Sequence, residues 1–528
     1  MPNGERRIAL RVMQAGAIAV ILAAAPYKTF ELDRFFVPKE LVLAVTALVA
    51  SLLLLVRVRR ASLARVDELL ALWLVLGGVS ALFATNWWLA GRAVALSLGG
   101  AVCFWCARAL AREGASRALV AALALAGVLG AATALLQAYG VRTEFVSLNR
   151  APGGTFGNRN FMAHLCVITL PALVFAALRA PTRAAFARWC GGLALVAAAL
   201  ILSRSRAAWL ALLVGLVVLV VAGSIALRRN DGSFKLARLL VVVLAAVAGA
   251  AASLVIPNTL DWRSDSPYLD TAHSIVNYKG GSGRGRLVQY GNSLRMTLHH
   301  PLLGVGPGNW PVDYPRFASK EDPSLGTDGM TSNPWPSSDW VTFLSERGPV
   351  ALVVLGLALL ALVMDGLRGL RTETRTEERL SAAVLLSTIA ILVTVGTFDA
   401  VLLLPVAALV GWALLGALAS PARERRVMEL TLPRRILAFI IVATAGALIV
   451  ARSSGQLMAM SLYATTARGV VLERASAIDP GSYRIHVRLA QLYVGRGDCK
   501  RGKTHAIAAK RLFPSSAPAR RLAAACGV

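Results

Sequence analysis

Charged residues are scarce in this chain. Asp, Glu, Lys and Arg make up 16% of its 528 residues, against 56% hydrophobic; soluble domains average about 25% charged and about 45–50% apolar. The deficit excludes a soluble domain, because no water-facing surface could hide this much Leu, Val and Ala, and lipid must solvate much of the chain. Acids are scarcer still, 28 against 56 bases, for a net charge of +28. That balance invites nucleic acid, yet the bases fall between apolar runs and form no continuous basic domain. Nucleic-acid binding is therefore excluded in favour of membrane topology. Cysteine is sparse as well, with six residues. Cys103 and Cys106 form a C-x-x-C inside an apolar run, without a second pair or a nearby His, so no metal site is read from them. No polar domain follows the first apolar run and its basic flank of Arg6, Arg7 and Arg11, which makes it a span rather than a cleaved secretory signal. Paired inverted halves with broken helices, the mark of a transporter, are missing too.

What the chain has in abundance is apolar runs of bilayer-spanning length, about 20 residues each. They fall near 8–26, 39–56, 67–84, 92–111, 117–138, 160–178, 189–203, 207–227, 238–256, 347–364, 380–397, 400–418 and 436–452. The expected fold is all-α and polytopic, with about 12–13 transmembrane helices over residues 1–452, a large loop at 257–346, and a small α-helical repeat domain at 453–528. Alternate connections carry Arg57, Arg59, Arg60 and Arg65; Arg112 and Arg117; Arg179, Arg183 and Arg188; Arg228, Arg229, Lys235 and Arg238; Arg368, Arg371, Arg375 and Arg379; and Arg423, Arg425, Arg426, Arg434 and Arg435. Short loops rich in Lys and Arg stay in the cytoplasm. The N-terminus is then expected inside a bacterial inner membrane, and the tail and the 257–346 loop in the periplasm.

In the tail, Ala475 and Pro480 recur as Ala509 and Pro514, and Leu489, Ala490, Tyr493 and Gly502 stand where a tetratricopeptide unit packs its two helices. Three repeats are usually needed for independent stability, so this short array must lean on the membrane domain or on an envelope partner; a plain helical hairpin without a binding role reads equally well. Cys499 and Cys526 are its only cysteines, and an oxidising periplasm permits a disulfide between them.

Three polar stretches fall on the expected outer face, where ionisable residues at membrane depth are functional candidates. The first is Gly153–Phe161, with Asn158 and Asn160 either as ligand-binding amides or as helix caps. The second is Ser203–Trp209, where Arg204 and Arg206 offer forks that match phosphate oxygens, or else snorkel to lipid headgroups. The third is the long loop, with Arg284, Arg286 and Arg295, then His299-His300-Pro301 and Gly304, Gly306 and Gly308, and finally Ser337, Asp339 and Trp340. Its glycines do not follow a soluble βαβ unit, so a dinucleotide reading is weak.

At these residues the chain resembles the O-antigen ligase family, which also includes Wzy-type polysaccharide polymerases and bacterial O-oligosaccharyltransferases. The matching elements are FGNRN at 156–160, SRAAW at 205–209, GRL at 285–287, HHPLLGVGPGN at 299–309 and SDWVTFLSERG at 338–348. The resemblance implies a GT-C-like helical fold and a transfer that needs neither metal nor other cofactor. A glycan would leave undecaprenyl diphosphate for a hydroxyl on a glycan, lipid or protein acceptor at the periplasmic face. It gives the diphosphate to Arg206 and Arg286 as catalytic groups, with Arg204, Arg284, Arg295, Asn158, Asn160, Ser337 and Trp340 as substrate-binding neighbours. Family members carry a histidine two residues before the Asp of the last element; here Ser337 stands there, and serine is a poor general base at neutral pH. Asp339 is then the first candidate for that role and His300 or His299 the next. A flippase for lipid-linked sugars and a non-catalytic envelope scaffold are the alternative readings.

Overall fold

The computed structural model describes residues 4–527 apart from 57, 148–149, 229–235, 263, 265, 274–280 and 420–425. Its helices are α1 (Gly4–Leu22), α2 (Asp33–Leu55), α3 (Arg65–Ala81), α4 (Trp87–Leu110), α5 (Ser116–Ala138), α6 (Arg159–Leu178), α7 (Arg183–Ser203), α8 (Arg206–Leu227) and α9 (Leu236–Val255). The long connection contributes α10 (Pro267–His273), α11 (Gly281–His299) and α12 (Trp310–Asp313). There follow α13 (Asp339–Thr372), α14 (Thr376–Phe398), α15 (Pro405–Leu418) and α16 (Leu432–Thr465), then α17 (Gly469–Ile478), α18 (Tyr483–Val494), α19 (Cys499–Leu512) and α20 (Ala517–Ala525).

The protein is an all-α polytopic membrane protein, and each of the thirteen apolar runs falls on one of α1–α9 or α13–α16. Among the described residues nine helices are long and apolar enough to cross a membrane. One of the nine is α4 and α5 taken together, a 52-residue stretch that bends at Gly114 with φ of 83°. The run at 400–418 becomes a helix of only 14 residues, α15, every one of them buried. Around it pack α6 and α14, largely buried, while α8, α9 and α16 leave most of their surface free for lipid. Hydrophobicity all round a helix permits either position, and packing decides.

The two ends of the bundle differ. At one, the strands Arg60–Leu63 and Arg426–Glu429 pair antiparallel, joining the α2–α3 and α15–α16 connections. Arg117 donates to the Arg179 carbonyl at 2.8 Å, Arg179 pairs with Glu377, and Arg379 donates to the Ala226 carbonyl at 3.1 Å. The Arg-rich connections thus gather on one side, as strict alternation requires. At the opposite end lie the α3–α4, α5–α6 and α14–α15 turns, the long connection and the tail.

The expected domain boundary at residue 452 falls within α16, which runs unbroken from the bundle into the tail. The tail is seated on the bundle. Asn86 donates to the Leu512 carbonyl at 3.1 Å, Arg484 to Thr29 at 2.5 Å, and the Ala517 amide to the Asp328 carbonyl at 2.9 Å. Leu472, Ala475, Ile485, Leu489 and Tyr493 form its small core. Cys499 and Cys526 are bridged, with Cα atoms 5.4 Å apart.

Candidate functional site

The glycine-rich element and the last conserved-looking stretch form one unit around Glu346. The Gly308 and Trp310 amides donate to its carboxylate at 2.7 and 3.2 Å, and the Val305 and Gly306 amides to the Ser345 and Glu346 carbonyls at 3.0 and 2.9 Å. Gly304 has φ of 65°, and a Cβ there would lie 2.4 Å from the Glu346 carbonyl carbon. Only glycine tolerates both the left-handed backbone and the contact. These glycines therefore hold the loop to the start of α13 rather than cradle a ligand.

Asp339 lies at the first turn of α13, fully buried, and accepts the Val401 and Leu402 amides at 2.8 and 2.9 Å. It ties α13 to the α14–α15 turn. Ser338, the residue before it, caps α13 by accepting the Val341 amide. Ser337 donates its amide to the Gln289 side chain at 3.2 Å, and the Tyr290 hydroxyl bonds the Ser337 and Thr397 carbonyls at 2.6 and 3.1 Å. Trp340 donates to Thr397 and to the Val393 carbonyl, both at 3.2 Å. The candidates of the last motif are thus all brought to the C-terminal end of α14.

Arg286 stands one turn before Tyr290 on α11, and its charge acts on His164 of α6. His164 is 1% exposed, and neither ring nitrogen has a hydrogen-bond partner among the described residues. Its Nε2 lies 3.9 Å from an Asp399 oxygen, which also faces the Asn160 amide at 3.4 Å. Asn158 caps α6, its side chain accepting the Asn160 amide at 3.0 Å. Neither His164 nor Asp399 was singled out by the motif reading. The signal was present: a lone histidine inside an apolar run, and an acid in a two-residue gap between two spans, are costly at membrane depth.

Arg204 closes α7 in the left-handed conformation, φ 52°, donates to Thr271 at 2.8 Å and stacks over Trp262 at 4.7 Å. Burial lowers its pKa from the ordinary arginine value, against the raising effect of Tyr268 and Asp270. Arg159 lies over the same indole at 5.2 Å, and Arg206 is the first residue of α8. The structure thereby joins FGNRN and SRSRAAW at one mouth, while Arg286 stands on α11 near enough to His164 for its charge to be felt there.

Other candidates stand apart. Arg284 is exposed on α11, two positions from Arg286 and so on a different face. Arg295 is exposed and faces Asn292. At about 1.5 Å rise per residue His300, exposed beyond the C-terminus of α11, is about 20 Å along the axis from Arg286. His299 packs on Phe317.

A large cavity flanks this site, lined by α2, α4, α16, the long connection and the α17–α18 turn. Trp335 stands at its inner wall, between Phe36 at 5.6 Å and Phe161 at 6.4 Å.

Together these features define a multi-pass membrane protein with an arginine-bearing polar site at one end of its bundle. Residues 191–356, just under a third of the chain, match the family model described as O-antigen ligase, and over that stretch the chain is similar to that family. The match includes the SRAAW, GRL, glycine-rich and SDWVTFLSERG elements but not FGNRN. It supports glycan transfer of the O-antigen ligase or polymerase type. No curated protein matches the chain.

Proposed function

We propose that the chain transfers a glycan from undecaprenyl diphosphate to an acceptor hydroxyl, and that the end bearing the arginines faces the periplasm. One observation carries the reading: Arg159 and Arg204, from two separate motifs, lie over the same Trp262 indole, with Arg206 two residues further on at the start of α8. Fixed guanidiniums bind diphosphate oxygens and stabilise the negative charge that grows on the leaving group. The acceptor oxygen bonds to the anomeric carbon as the carbon–phosphate oxygen bond breaks, and its electron pair leaves on the diphosphate. His164 takes the hydroxyl proton, oriented by Asp399, since Ser337 cannot and Asp339 spends both oxygens on backbone amides. A neutral imidazole is the side chain best suited to that task near pH 7.

Purified protein supplied with undecaprenyl-diphosphate glycan and candidate acceptors should yield product and free carrier. Arg206→Ala and Arg286→Ala should each slow turnover about 100-fold or more, the scale of removing one charge-stabilising group. Intact turnover in both variants would sink the diphosphate clamp.

A further inference from the structure

We infer that the cavity beneath the tail binds the acceptor's glycan chain and delivers its terminal hydroxyl to His164 past Trp335. The inference rests on the transfer reading above. The cavity holds about 340 Å³, within the range of about 300–1,000 Å³ of a small-molecule pocket, and so has room for a short terminal stretch of such a chain. Trp88, Trp335, Tyr483 and Phe513 offer ring faces, and five carboxylates and three guanidiniums offer acceptors and donors. That mixture suits a polyhydroxylated ring, whose C–H face stacks on an aromatic ring while its hydroxyls both donate and accept.

The excess of acid decides what the cavity refuses. Arg92 is neutralised by Asp33 at 3.0 Å and Glu40 at 2.9 Å, and Asp479 faces Arg452. A diphosphate placed here would meet carboxylates, and like-charge juxtaposition costs several kcal/mol. The carrier's head group therefore belongs with the arginines and an uncharged glycan belongs here.

Position assigns this glycan to the acceptor. Arg159, Arg204 and Arg206 stand at the mouth formed by α6, α7 and α8, and the cavity is lined by α2, α4 and α16. In a displacement at an anomeric carbon the incoming oxygen and the departing diphosphate lie on opposite sides of that carbon, a geometry that bound substrates must be held in. Phe36 and Pro405 line both the cavity and a small pocket of about 20 Å³ that reaches His164, room for one hydroxyl-sized group. Trp335 lines the cavity and packs on Phe36 and Phe161, which line that pocket.

The test uses the full-length protein carrying Ser332→Cys at the cavity wall and modified with a bulky maleimide. The native thiols do not compete, four being buried and two bridged. Modification should cut transfer at least tenfold relative to the unmodified variant, while binding of radiolabelled undecaprenyl-diphosphate glycan stays within twofold. The oligosaccharide cleaved from that donor by mild acid should slow the labelling of Ser332→Cys and leave that of Lys320→Cys, outside the cavity, unaffected. Undiminished transfer after modification overturns the inference. So does loss of donor binding, which would put the donor's own glycan in the cavity. A wild-type protein that neither binds nor consumes the lipid-linked donor defeats the transfer reading itself, a separate result that takes this inference with it.

Discussion

Asp339 and His164 are two buried polar side chains with opposite situations. Both Asp339 oxygens are satisfied by backbone amides, whereas His164 has an acid 3.9 Å away and no hydrogen bond to either nitrogen among the described residues. Removing a partner from a buried donor costs about 1–3 kcal/mol. Asp339→Asn should therefore lower thermal stability in detergent by about that much, with activity falling only in step with the folded fraction. Loss of turnover at undiminished stability would return Asp339 to the chemistry. His164→Gln should do the reverse: transfer falls about 10²–10⁴-fold, the typical worth of a general base, with donor binding and melting temperature little changed. A variant that turns over at the wild-type rate would remove the imidazole from the reaction.

Among elements, the glycine loop was legible in the sequence as a motif but not in its purpose. The spacing of Gly304, Gly306 and Gly308 announced unusual backbone; that it wraps Glu346, 38 residues on from Gly308, required the fold. Gly304→Ala, strained in the left-handed region and blocked at 2.4 Å, should abolish accumulation of folded protein, read by size-exclusion in detergent. The spans were legible for a simpler reason, since length and hydropathy suffice for a helix in lipid. Which of them are central was not, because α15 and α16 read alike as apolar runs and differ only in what packs on them. Among the proposed site residues, the motif arginines were picked out in the sequence by chemistry and position, while His164 and Asp399 escaped because they belong to no motif and meet only across 235 residues of chain.

The tail helices offer a pH test at the same scale. Burial lowers the pKa of His486, and burial with the neighbouring His486 lowers that of His505; the two Nδ1 atoms are 3.0 Å apart. The unfolded tail then binds protons more readily than the folded one, so stability is present above the ordinary histidine value of about 6.5 and is lost as pH falls below it. Protection factors of α18 and α19 amides, corrected for the intrinsic pH dependence of exchange, should be lower at pH 5.5 than at pH 7.5, and His486→Gln should flatten that difference. The Cys499–Cys526 bridge opposes such opening. A loop of this size is worth about 3 kcal/mol in the chain-entropy account, so Cys526→Ser should raise exchange in α20 at every pH.

Taken as a whole, the molecule is a bundle with chemically distinct ends. The Arg-rich connections and the two-stranded ladder lie at one end, and the site, the cavity and the tail lie at the other. If the second end is periplasmic, a membrane-impermeant thiol reagent should reach Lys320→Cys in intact spheroplasts and miss a cysteine placed at Thr374. The converse labelling pattern would invert the protein in the membrane and remove the carrier's diphosphate from the arginines' side.

Because α16 follows the rest of the bundle in the chain and buries only Ser453, Ala459 and Met460, the order of synthesis acquires a meaning. A ribosome delivers the arginines of α6–α8, Arg286 and the buried core of α15 before the helix that carries the tail. On the proposed reading, the arginines meant for a lipid-linked diphosphate can therefore be in place while the chamber beside them still lacks a roof. Only insertion of the last span brings Gly481 over Trp88 and closes that chamber. On the proposed reading, arrival of α16 and the helices after it is in this sense a licensing step for the second substrate.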